Sequence, residues 1–355
     1  MSSKKIVKIG DVLIGGGNPI AIQSMTNVNP LDEDALTKQI KELTNEGCQI
    51  IRLAVPSMDA AEIFGRVKRK IDIPMVADIH FDYRLAVEAI RQGADKIRIN
   101  PGNIGSKENL EKVVKAARKR QIPIRVGVNS GSLEKDIISK RGCVDAEGLA
   151  ESALRNLKLI EDMGYDNLVV SLKSSDVRMN YEAHKLVASM TEHPIHIGIT
   201  EAGTVKSGKL KSAVGLGSLI LAGVGDTMRV SLTADPIEEV RFAKDILYSI
   251  GLRKDRVNLV SCPTCGRTKI NLEKLANDVE CALESEGINE PITVAVMGCV
   301  VNGPGEAKEA DYGLAGGDGK GIIFSKGEVI KVVEEENLLD ELLNIIKKDR
   351  GITVS

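Results

Sequence analysis

From residue 20 to about residue 250, the sequence repeats one unit: a short β-branched or aliphatic run, a polar loop and a stretch with helical periodicity. Several periodic stretches open on aspartates that can cap a helix, namely Asp32, Asp59, Asp82 and Asp235. The runs are Ile20–Gln23, Ile50–Ala54, Met75–Ala77, Lys96–Ile99, Ile124–Gly127, Leu168–Ser171, Ile195–Ile199 and Met228–Leu232. Eight such units predict a (β/α)8 TIM barrel of the α/β class, with a doubly wound open sheet as the structural alternative.

Two further patterns flank the repeats. Ile6–Ile9 and Val12–Ile14 surround Gly10-Asp11 and predict a small hairpin that could close the N-terminal mouth of the barrel. After the polar stretch Gly251–Arg256, a second α/β pattern begins. Its predicted strands are Val257–Val260, Ile292–Val296, Gly321–Phe324 and Val329–Val333, and its predicted helices are Leu272–Glu284 and Leu338–Lys348. We therefore expect a barrel domain over residues 1–255 and a small α/β domain over residues 256–355.

Cationic side chains recur at the predicted carboxyl ends of the strands, where TIM barrels carry their active sites. They are Arg52, Arg98, Arg125, Lys173 and Arg229. Any one of them could be a surface cation or part of a structural ion pair. Five that converge on one mouth need anions, and the strand ends offer few carboxylates, chiefly Asp78 and Glu201. Because arginine matches phosphate oxygens in bidentate geometry, the pattern predicts a diphosphate or sugar phosphate as substrate.

Neutral and proton-transferring groups accompany these cations. Asn129, Ser171 and Ser231 follow the strands and would supply neutral hydrogen-bond donors. Glu201, in Thr-Glu-Ala-Gly after the seventh strand, either balances charge or acts as a general acid or base. His80, in Asp-Ile-His after the third strand, is a second candidate for proton transfer or a plain hydrogen-bonded residue.

The second domain carries two cysteine motifs. Cys262 and Cys265 lie in Ser-Cys-Pro-Thr-Cys-Gly-Arg, and Cys299 opens a loop rich in glycine and proline that ends at Glu306. Two cysteines with two residues between them can direct both sulfurs at one metal. Three soft thiolates and one exchangeable carboxylate suit a catalytic iron–sulfur cluster better than a structural zinc, which stays open as the alternative. The remaining cysteines, Cys48, Cys143 and Cys281, are expected to pack as small apolar residues.

Composition excludes several other classes of protein. The 355 residues include 48 basic and 50 acidic side chains, so no bulk attraction to nucleic acid or membrane is predicted. The absence of tryptophan disfavours base-stacking surfaces. The longest apolar run, around Leu216–Val224, is short and contains two glycines, so it cannot span a bilayer. We expect a cytoplasmic protein, because no secretory segment is apparent and the cysteines suit a reducing compartment.

Three motifs carry a resemblance to a known family. They are Cys-Pro-Thr-Cys-Gly-Arg, Met-Gly-Cys-Val-Val-Asn-Gly-Pro-Gly-Glu, and Gly-Ile-Thr-Glu-Ala-Gly at the end of the seventh strand. Over essentially its whole length the chain resembles the GcpE/IspG family of 4-hydroxy-3-methylbut-2-enyl diphosphate synthases, in the simple two-domain bacterial form. The family belongs to the methylerythritol phosphate route to isoprenoids.

The resemblance implies an oxidoreductase that acts on 2-C-methyl-D-erythritol 2,4-cyclodiphosphate, opens the ring and removes a hydroxyl as water. It implies a [4Fe–4S] cluster held by Cys262, Cys265, Cys299 and Glu306. The family's substrate clamp falls on Arg52, Arg98, Arg125, Asn129, Lys173, Arg229 and Ser231, and its catalytic groups fall on Glu201, Glu306 and His80. It also implies ferredoxin or flavodoxin as electron donor and a head-to-tail homodimer in which one subunit's cluster domain caps the other's barrel.

Two competing classes remain at this point. One is a phosphate-binding TIM-barrel lyase or transferase that carries a structural zinc module. The other is an iron–sulfur scaffold or sensor without catalysis, which would leave the cationic strand ends unexplained.

Overall fold

The computed structural model describes residues 3–299, 305 and 307–352 of the chain. The chain divides into two compact units, residues 1–252 and residues 253–355. Within the described ranges, no helix is both long and apolar enough to cross a membrane.

The first unit begins with an antiparallel hairpin of β1 (Val7–Ile9) and β2 (Val12–Ile14), as the sequence predicts. Eight parallel strands then close into a barrel: β3 (Ala21–Met25), β4 (Ile50–Ala54), β5 (Met75–Asp78), β6 (Lys96–Ile99), β7 (Ile124–Asn129), β8 (Leu168–Lys173), β9 (Ile195–Gly198) and β10 (Thr227–Arg229). The order follows the chain, and β10 closes the ring against β3. The predicted TIM barrel is confirmed, and the open-sheet alternative is wrong.

Helices cover the outside of this barrel: α1 (Glu33–Asn45), α2 (Met58–Lys68), α3 (Tyr83–Arg91), α4 (Lys107–Arg120), α5 (Lys135–Arg141), α6 (Ala146–Glu161), α7 (Val177–Met190), α8 (Val205–Leu221) and α9 (Pro236–Ser249). Asp32, Asp82 and Asp235 cap α1, α3 and α9 by accepting hydrogen bonds from backbone N–H groups, as predicted. The predicted cap at Asp59 is wrong. Ser57 caps α2, because its hydroxyl accepts from the backbone N–H of Ala60 at 3.2 Å.

The hairpin lies at the amino end of the barrel. Val7, Ile9 and Ile14 form one buried apolar cluster with residues near the starts of four strands, namely Ala21, Ile50, Val76 and Val169. This contact confirms the predicted closure of the N-terminal mouth. The opposite, carboxyl end of the strands is therefore the end open for chemistry.

The second unit is a five-stranded sheet in the order β11 (Asn258–Ser261), β12 (Thr293–Met297), β13 (Tyr312–Gly316), β14 (Lys320–Ser325) and β15 (Glu328–Glu334). The first three strands run parallel, and the last two are antiparallel to their neighbours. Helices α10 (Leu272–Ser285) and α11 (Leu338–Arg350) contribute to the main core of this unit.

The strand β13 is not among the strands predicted from the sequence. Gly313 and Gly316 lie inside the strand, where large neighbours leave no room for a side chain. A Cβ at Gly313 would lie 2.3 Å from the Phe324 ring, and one at Gly316 would lie 2.4 Å from Ile270. These glycines therefore admit bulky neighbours from adjoining elements.

Candidate active site

A cavity of about 390 Å³ opens at the carboxyl end of the barrel strands. Its lining includes all the predicted clamp residues, Arg52, Arg98, Arg125, Asn129, Lys173, Arg229 and Ser231, together with His80, Ser171 and Glu201. Ser231 and Glu201 lie beyond the ends of their strands, and the other clamp residues lie within strands. The barrel thus brings together every site residue that the sequence predicts for the first unit.

Asp78 organises one side of this cavity. Its carboxylate lies 3.3 Å from Arg98 Nη1, 3.9 Å from Arg52 Nε and 3.4 Å from His80 Nε2. Burial alone would raise the pKa of Asp78, but Arg52, the His80 hydrogen bond and Arg98 outweigh it, so the pKa lies well below its usual value. Asp78 is therefore a permanent anion that orients two arginines and one histidine.

Glu239 performs the same role on the opposite side. Its carboxylate accepts from Arg229 Nε and Nη2 at 3.2 and 3.1 Å and from the backbone N–H of Leu232 at 2.9 Å. Between the two sides lies the Met25 sulfur, which accepts from Arg52 Nη2 at 2.9 Å and Arg229 Nη1 at 3.4 Å. A thioether is a weak acceptor that adds no negative charge, so Met25 orients the two guanidiniums without adding to the charge compensation by Asp78 and Glu239.

Arg125 and Lys173 differ from the other cations of the cavity. Neither forms a salt bridge with a carboxylate in the part of the chain that the structure describes. Burial, followed by the charge of Arg52, lowers the pKa of both side chains well below their ordinary values. Arg125 is 1% exposed and remains charged, because a guanidinium does not deprotonate in proteins. An anion in this cavity would relieve the unfavourable burial of its charge.

Two glycines make room for these long side chains. A Cβ at Gly127 would lie 2.6 Å from Arg98 Nε, and one at Gly198 would lie 3.1 Å from Lys173 Cε. Gly127 lies in β7 and Gly198 ends β9, where a TIM barrel ordinarily carries side chains that fill its interior. Because both positions are glycine, the barrel interior has room there for the side chains of Arg98 and Lys173.

Glu201 is set apart by its backbone. Its φ is 50°, in the left-handed region that residues other than glycine seldom adopt. The residue follows β9, lines the cavity and is exposed. Such strain persists where the surrounding structure determines it, and it concentrates at functional sites. The conformation is consistent with a carboxylate directed at a ligand.

The cysteine loops follow β11 and β12 in the second unit. Cys262 is partly exposed, Cys265 is exposed and Cys299 is buried. The two loops lie side by side, because Gly298 N donates to Cys262 Sγ at 3.3 Å and Lys269 N donates to Gly298 O at 3.1 Å. The pKa of Cys265 is lowered, chiefly by a backbone hydrogen bond from Arg267 and then by the Thr268 side chain.

The predicted fourth ligand, Glu306, lies outside the described residues. Within the described residues, no three His, Cys, Asp or Glu side chains converge as a metal site would require. The donor set nevertheless fits an iron–sulfur group, since soft sulfurs that accept backbone N–H groups favour the thiolate form. The cluster ligands therefore stay a prediction.

Two residues of this site are not predicted from the sequence, and the predictions for two cysteines are wrong. Met25 and Glu239 orient the arginines, and a carboxylate one turn into the helix after the eighth strand could have signalled Glu239.

Cys48 is buried as predicted. Cys143 and Cys281 are exposed, so their predicted apolar packing is wrong. Cys281 lies on α10, where its position faces away from the core of the unit.

Comparison with known proteins matches both units to one family. Residues 4–244 match the model of the GcpE TIM-barrel domain, and residues 258–348 match that of the GcpE protein C-terminal domain. A protein of Caldanaerobacter subterraneus subsp. tengcongensis named 4-hydroxy-3-methylbut-2-en-1-yl diphosphate synthase (flavodoxin) is 57% identical over 96% of each chain. Proteins of the same name from Clostridium acetobutylicum and Fusobacterium nucleatum are 54% and 53% identical, and each match covers 97% of the relative.

Two solved structures align with about 70% of this chain at low sequence identity. Dihydropteroate synthase of Yersinia pestis aligns with a TM-score of 0.52 at 11% identity, over 69% of this chain and 99% of that one. The enzyme of Stenotrophomonas maltophilia aligns with a TM-score of 0.51 at 13% identity, over 70% of this chain and 99% of that one. At such low identity the likeness shows a shared fold only.

Proposed function

The chain belongs to the GcpE family, and we propose that it converts 2-C-methyl-D-erythritol 2,4-cyclodiphosphate to 4-hydroxy-3-methylbut-2-enyl diphosphate by reductive dehydroxylation and ring opening. The conversion takes up two electrons and two protons. The ring C–O bond to one phosphate and the C–O bond of one hydroxyl break, a carbon–carbon double bond forms, and the hydroxyl leaves as water. The observation that carries the proposal is the excess of cations at the barrel mouth. Five cationic side chains line the cavity beside three carboxylates, and two of the cations lack a carboxylate partner within the described ranges.

We assign the diphosphate to Arg125 and Lys173 first, with Arg52, Arg98 and Arg229 as further contacts. The last three already have a carboxylate to orient them. Arg125 has a buried charge that an anion would compensate, and a bound anion would raise the lowered pKa of Lys173 and so favour its charged form. Asn129 and Ser231 line the same cavity and would donate to ester or hydroxyl oxygens of the substrate. The oriented arginines need little rearrangement on binding, which favours affinity.

Glu201 and His80 are the candidates for proton transfer. Glu201 lines the cavity as an exposed carboxylate, so it can hold or deliver the proton that the departing hydroxyl needs. His80 is hydrogen-bonded to Asp78 through Nε2, which fixes the ring beside the cations. We expect Glu201 to act on the reacting hydroxyl and His80 to orient the substrate or share the proton.

The electrons would come through an iron–sulfur group. Cys262, Cys265, Cys299 and Glu306 would hold a [4Fe–4S] cluster, which supplies one-electron transfer and an iron that can bind oxygen. The adjacent cysteine loops and the N–H donated to Cys262 Sγ support this ligand set. Flavodoxin is named as a partner of the close relatives, and we propose it as the electron donor here.

We also propose a homodimer, as in the family that the chain resembles, and a location in the cytoplasm, where thiolates stay reduced. Light scattering of the holoprotein tests the first proposal, because it separates the mass of one chain from that of two. Cell fractionation tests the second.

The function is tested by purification without air, followed by metal analysis and assay. We expect about four irons per chain and conversion of the cyclodiphosphate when reduced flavodoxin is added. Cys299→Ser should lose iron and turnover together, whereas Cys281→Ser, an exposed cysteine on α10, should retain both. Protein that binds one zinc, stays colourless after reconstitution and produces no diphosphate product would overturn the proposal and favour a lyase or transferase.

A further inference from the structure

Beneath the cavity lies a set of inward polar side chains, of which the proposed function uses only Arg125. We call Gln23, Lys96, Arg125 and His196 the buried polar layer; each is at most 1% exposed. They lie on β3, β6, β7 and β9. Gln23 is two residues beyond Ala21, which packs on the hairpin, and two residues before Met25, which lines the cavity. Since side chains alternate along a strand, Gln23 lies between the apolar amino end and the cavity. Lys96 and His196 do not line the cavity either, whereas Arg125 reaches it.

Such a layer is unusual, because TIM-barrel interiors are mostly filled by branched apolar side chains. Its hydrogen bonds are also incomplete. Lys96 Nζ is 3.5 Å from Gln23 Oε1, and His196 Nδ1 is 2.8 Å from Thr227 Oγ1. Among the described residues, four buried atoms of the layer have no partner: Gln23 Nε2, Arg125 Nε, Arg125 Nη1 and His196 Nε2. Buried polar groups in folded proteins are nearly always satisfied, by protein or by ordered water.

The layer has more donors than acceptors. Arg125 can only donate, and it keeps its charge. Gln23 Oε1 accepts, and a neutral imidazole at His196 offers one acceptor nitrogen in either tautomer. Lys96 adds three donors when it is charged, whereas the neutral amine has a lone pair that accepts. The shortage of acceptors therefore falls when Lys96 gives up its proton.

The charges around Lys96 also favour its uncharged form. Burial, followed by the positive charges of Arg125 and Arg52, lowers the pKa of Lys96 well below its ordinary value. Few groups could raise the pKa of Lys96, because no carboxylate forms a salt bridge with it within the described parts of the chain. Between two neighbouring cations, the lysine is the one that can become neutral.

We propose that Lys96 is a positioning residue, an uncharged amine whose lone pair accepts a hydrogen bond from the Arg125 guanidinium, directly or through ordered water, and so holds that guanidinium toward the cavity. Adjacent strands support this assignment. Lys96 begins β6, and Arg98, two residues later, is paired in register with Arg125 on β7. Lys96 thus lies one step below the level of Arg125 on the neighbouring strand. Of the unpartnered atoms Nε and Nη1, the amine would accept from one, because it has a single lone pair, and ordered water would accept from the other; Nη2 is left for the substrate.

The inference rests on the proposed function, because it takes Arg125 as a ligand of the diphosphate. The test uses full-length, anaerobically reconstituted protein and titration calorimetry with the cyclodiphosphate. Lys96→Met preserves the shape of the side chain and removes the lone pair. We expect its Kd to rise about tenfold, the effect of losing one hydrogen bond to a charged group. Lys96→Gln keeps an acceptor, so its Kd should rise less than about threefold on the same reasoning.

Two controls make the result specific. Ser212→Ala removes another buried unpartnered polar atom, on α8 outside the barrel interior, and should leave the Kd unchanged. In an Arg125→Gln background, Lys96→Met should weaken binding no further, because the amine acts through Arg125. The thermal midpoint should not fall in Lys96→Met, since an apolar replacement of similar shape is close to neutral in a dry interior.

The charge state has its own readout. In protein labelled at lysine Cε, the carbon resonance that is missing from Lys96→Gln should have the shift of a neutral amine at neutral pH. The shift of an ammonium group would overturn the proposal, even if Lys96→Met failed to fold. So would an unchanged Kd in Lys96→Met, or an equal loss of affinity in the Arg125→Gln background. If the wild-type protein does not bind the cyclodiphosphate at all, the proposed function fails instead.

Discussion

The two ends of the barrel are built from the same eight strands, yet their inward side chains have opposite characters. At the amino end, Ile50 packs with Val7, Ile9 and Ile14 of the hairpin in a dry apolar cluster. Two residues further along β4, Arg52 lines the cavity. Side chains on one face of a strand recur every two residues, so Ile50 and Arg52 are successive inward side chains of β4. The first packs in the core, and the second places a charge in the cavity.

The amino end of the barrel stabilises the fold, whereas the carboxyl end is proposed to bind the substrate. The amino end contributes apolar burial. The carboxyl end retains buried cations that weaken the fold until an anion arrives, because an uncompensated buried charge is unfavourable. Substitutions at the two ends should therefore affect different measurements.

The largest expected effect is on turnover. Glu201→Gln keeps the size of the side chain and removes its capacity for proton transfer, so kcat should fall roughly 10²- to 10⁴-fold. Visible absorbance and the thermal midpoint should stay unchanged, since Glu201 is exposed and outside the core. Anaerobic steady-state kinetics measure the change. An unaltered kcat would show that Glu201 has no part in catalysis and that the residues at the carboxyl end of the barrel only bind the substrate.

The next effect concerns stability at the carboxyl end. Asp78→Asn leaves Arg52 and Arg98 without their anion, so the free energy of unfolding should fall by about 3 kcal/mol at neutral pH. Because the folded pKa of Asp78 is depressed, its contribution is present above the unfolded pKa and is lost as the pH falls further. The difference between wild type and variant should therefore shrink below about pH 4.

Urea unfolding followed by circular dichroism measures this difference, with the exposed Asp72→Asn as the matched control. The control should change stability by less than about 0.5 kcal/mol. A difference for Asp78→Asn that persists unchanged into acid would contradict the electrostatic explanation.

A comparable loss of stability, without loss of chemistry, is expected at the amino end. Ile9 is completely buried in the hairpin cluster, so Ile9→Ala should lower the free energy of unfolding by about 2 to 4 kcal/mol. The kcat per folded molecule should not change, because the hairpin does not line the cavity. Leu13→Ala, in the same hairpin but 45% exposed, is the control. Lost kcat at full stability would show that the two ends are coupled.

The smallest effect concerns the space beside Arg98. Gly127→Ala places a methyl group against the Arg98 guanidinium, which must shift from its position beside Asp78. We expect the Kd for the cyclodiphosphate to rise about fivefold through this misplacement. Gly131→Ala, where a Cβ meets nothing within 4 Å, should bind as the wild type does. Equal affinities in both variants would mean that the position of Arg98 is unimportant.

Much of this account could be predicted from the sequence, because the barrel repeats one local pattern eight times. The strand β13 was missed since its glycines resemble turn residues, and only the tertiary contacts with Phe324 and Ile270 explain them. Lys173 follows from its place at the end of β8, whereas Arg125 is the second residue of β7 and lines the cavity although it is not at the strand end. The pairing of Arg229 with Glu239 depends on how α9 packs back on the barrel. The left-handed backbone at Glu201 has no signal in its residue type.

The central claim is that buried cations at the carboxyl end bind the diphosphate of the substrate. The most direct measurement is calorimetric titration of the cyclodiphosphate into anaerobically prepared wild type and Arg125→Gln, with the thermal midpoint of each recorded alongside. We predict binding to the wild type and a Kd about 100-fold higher in the variant, without a lower midpoint, because a charge-assisted contact is lost while an uncompensated buried charge is removed. Equal affinities in two folded proteins would contradict the claim.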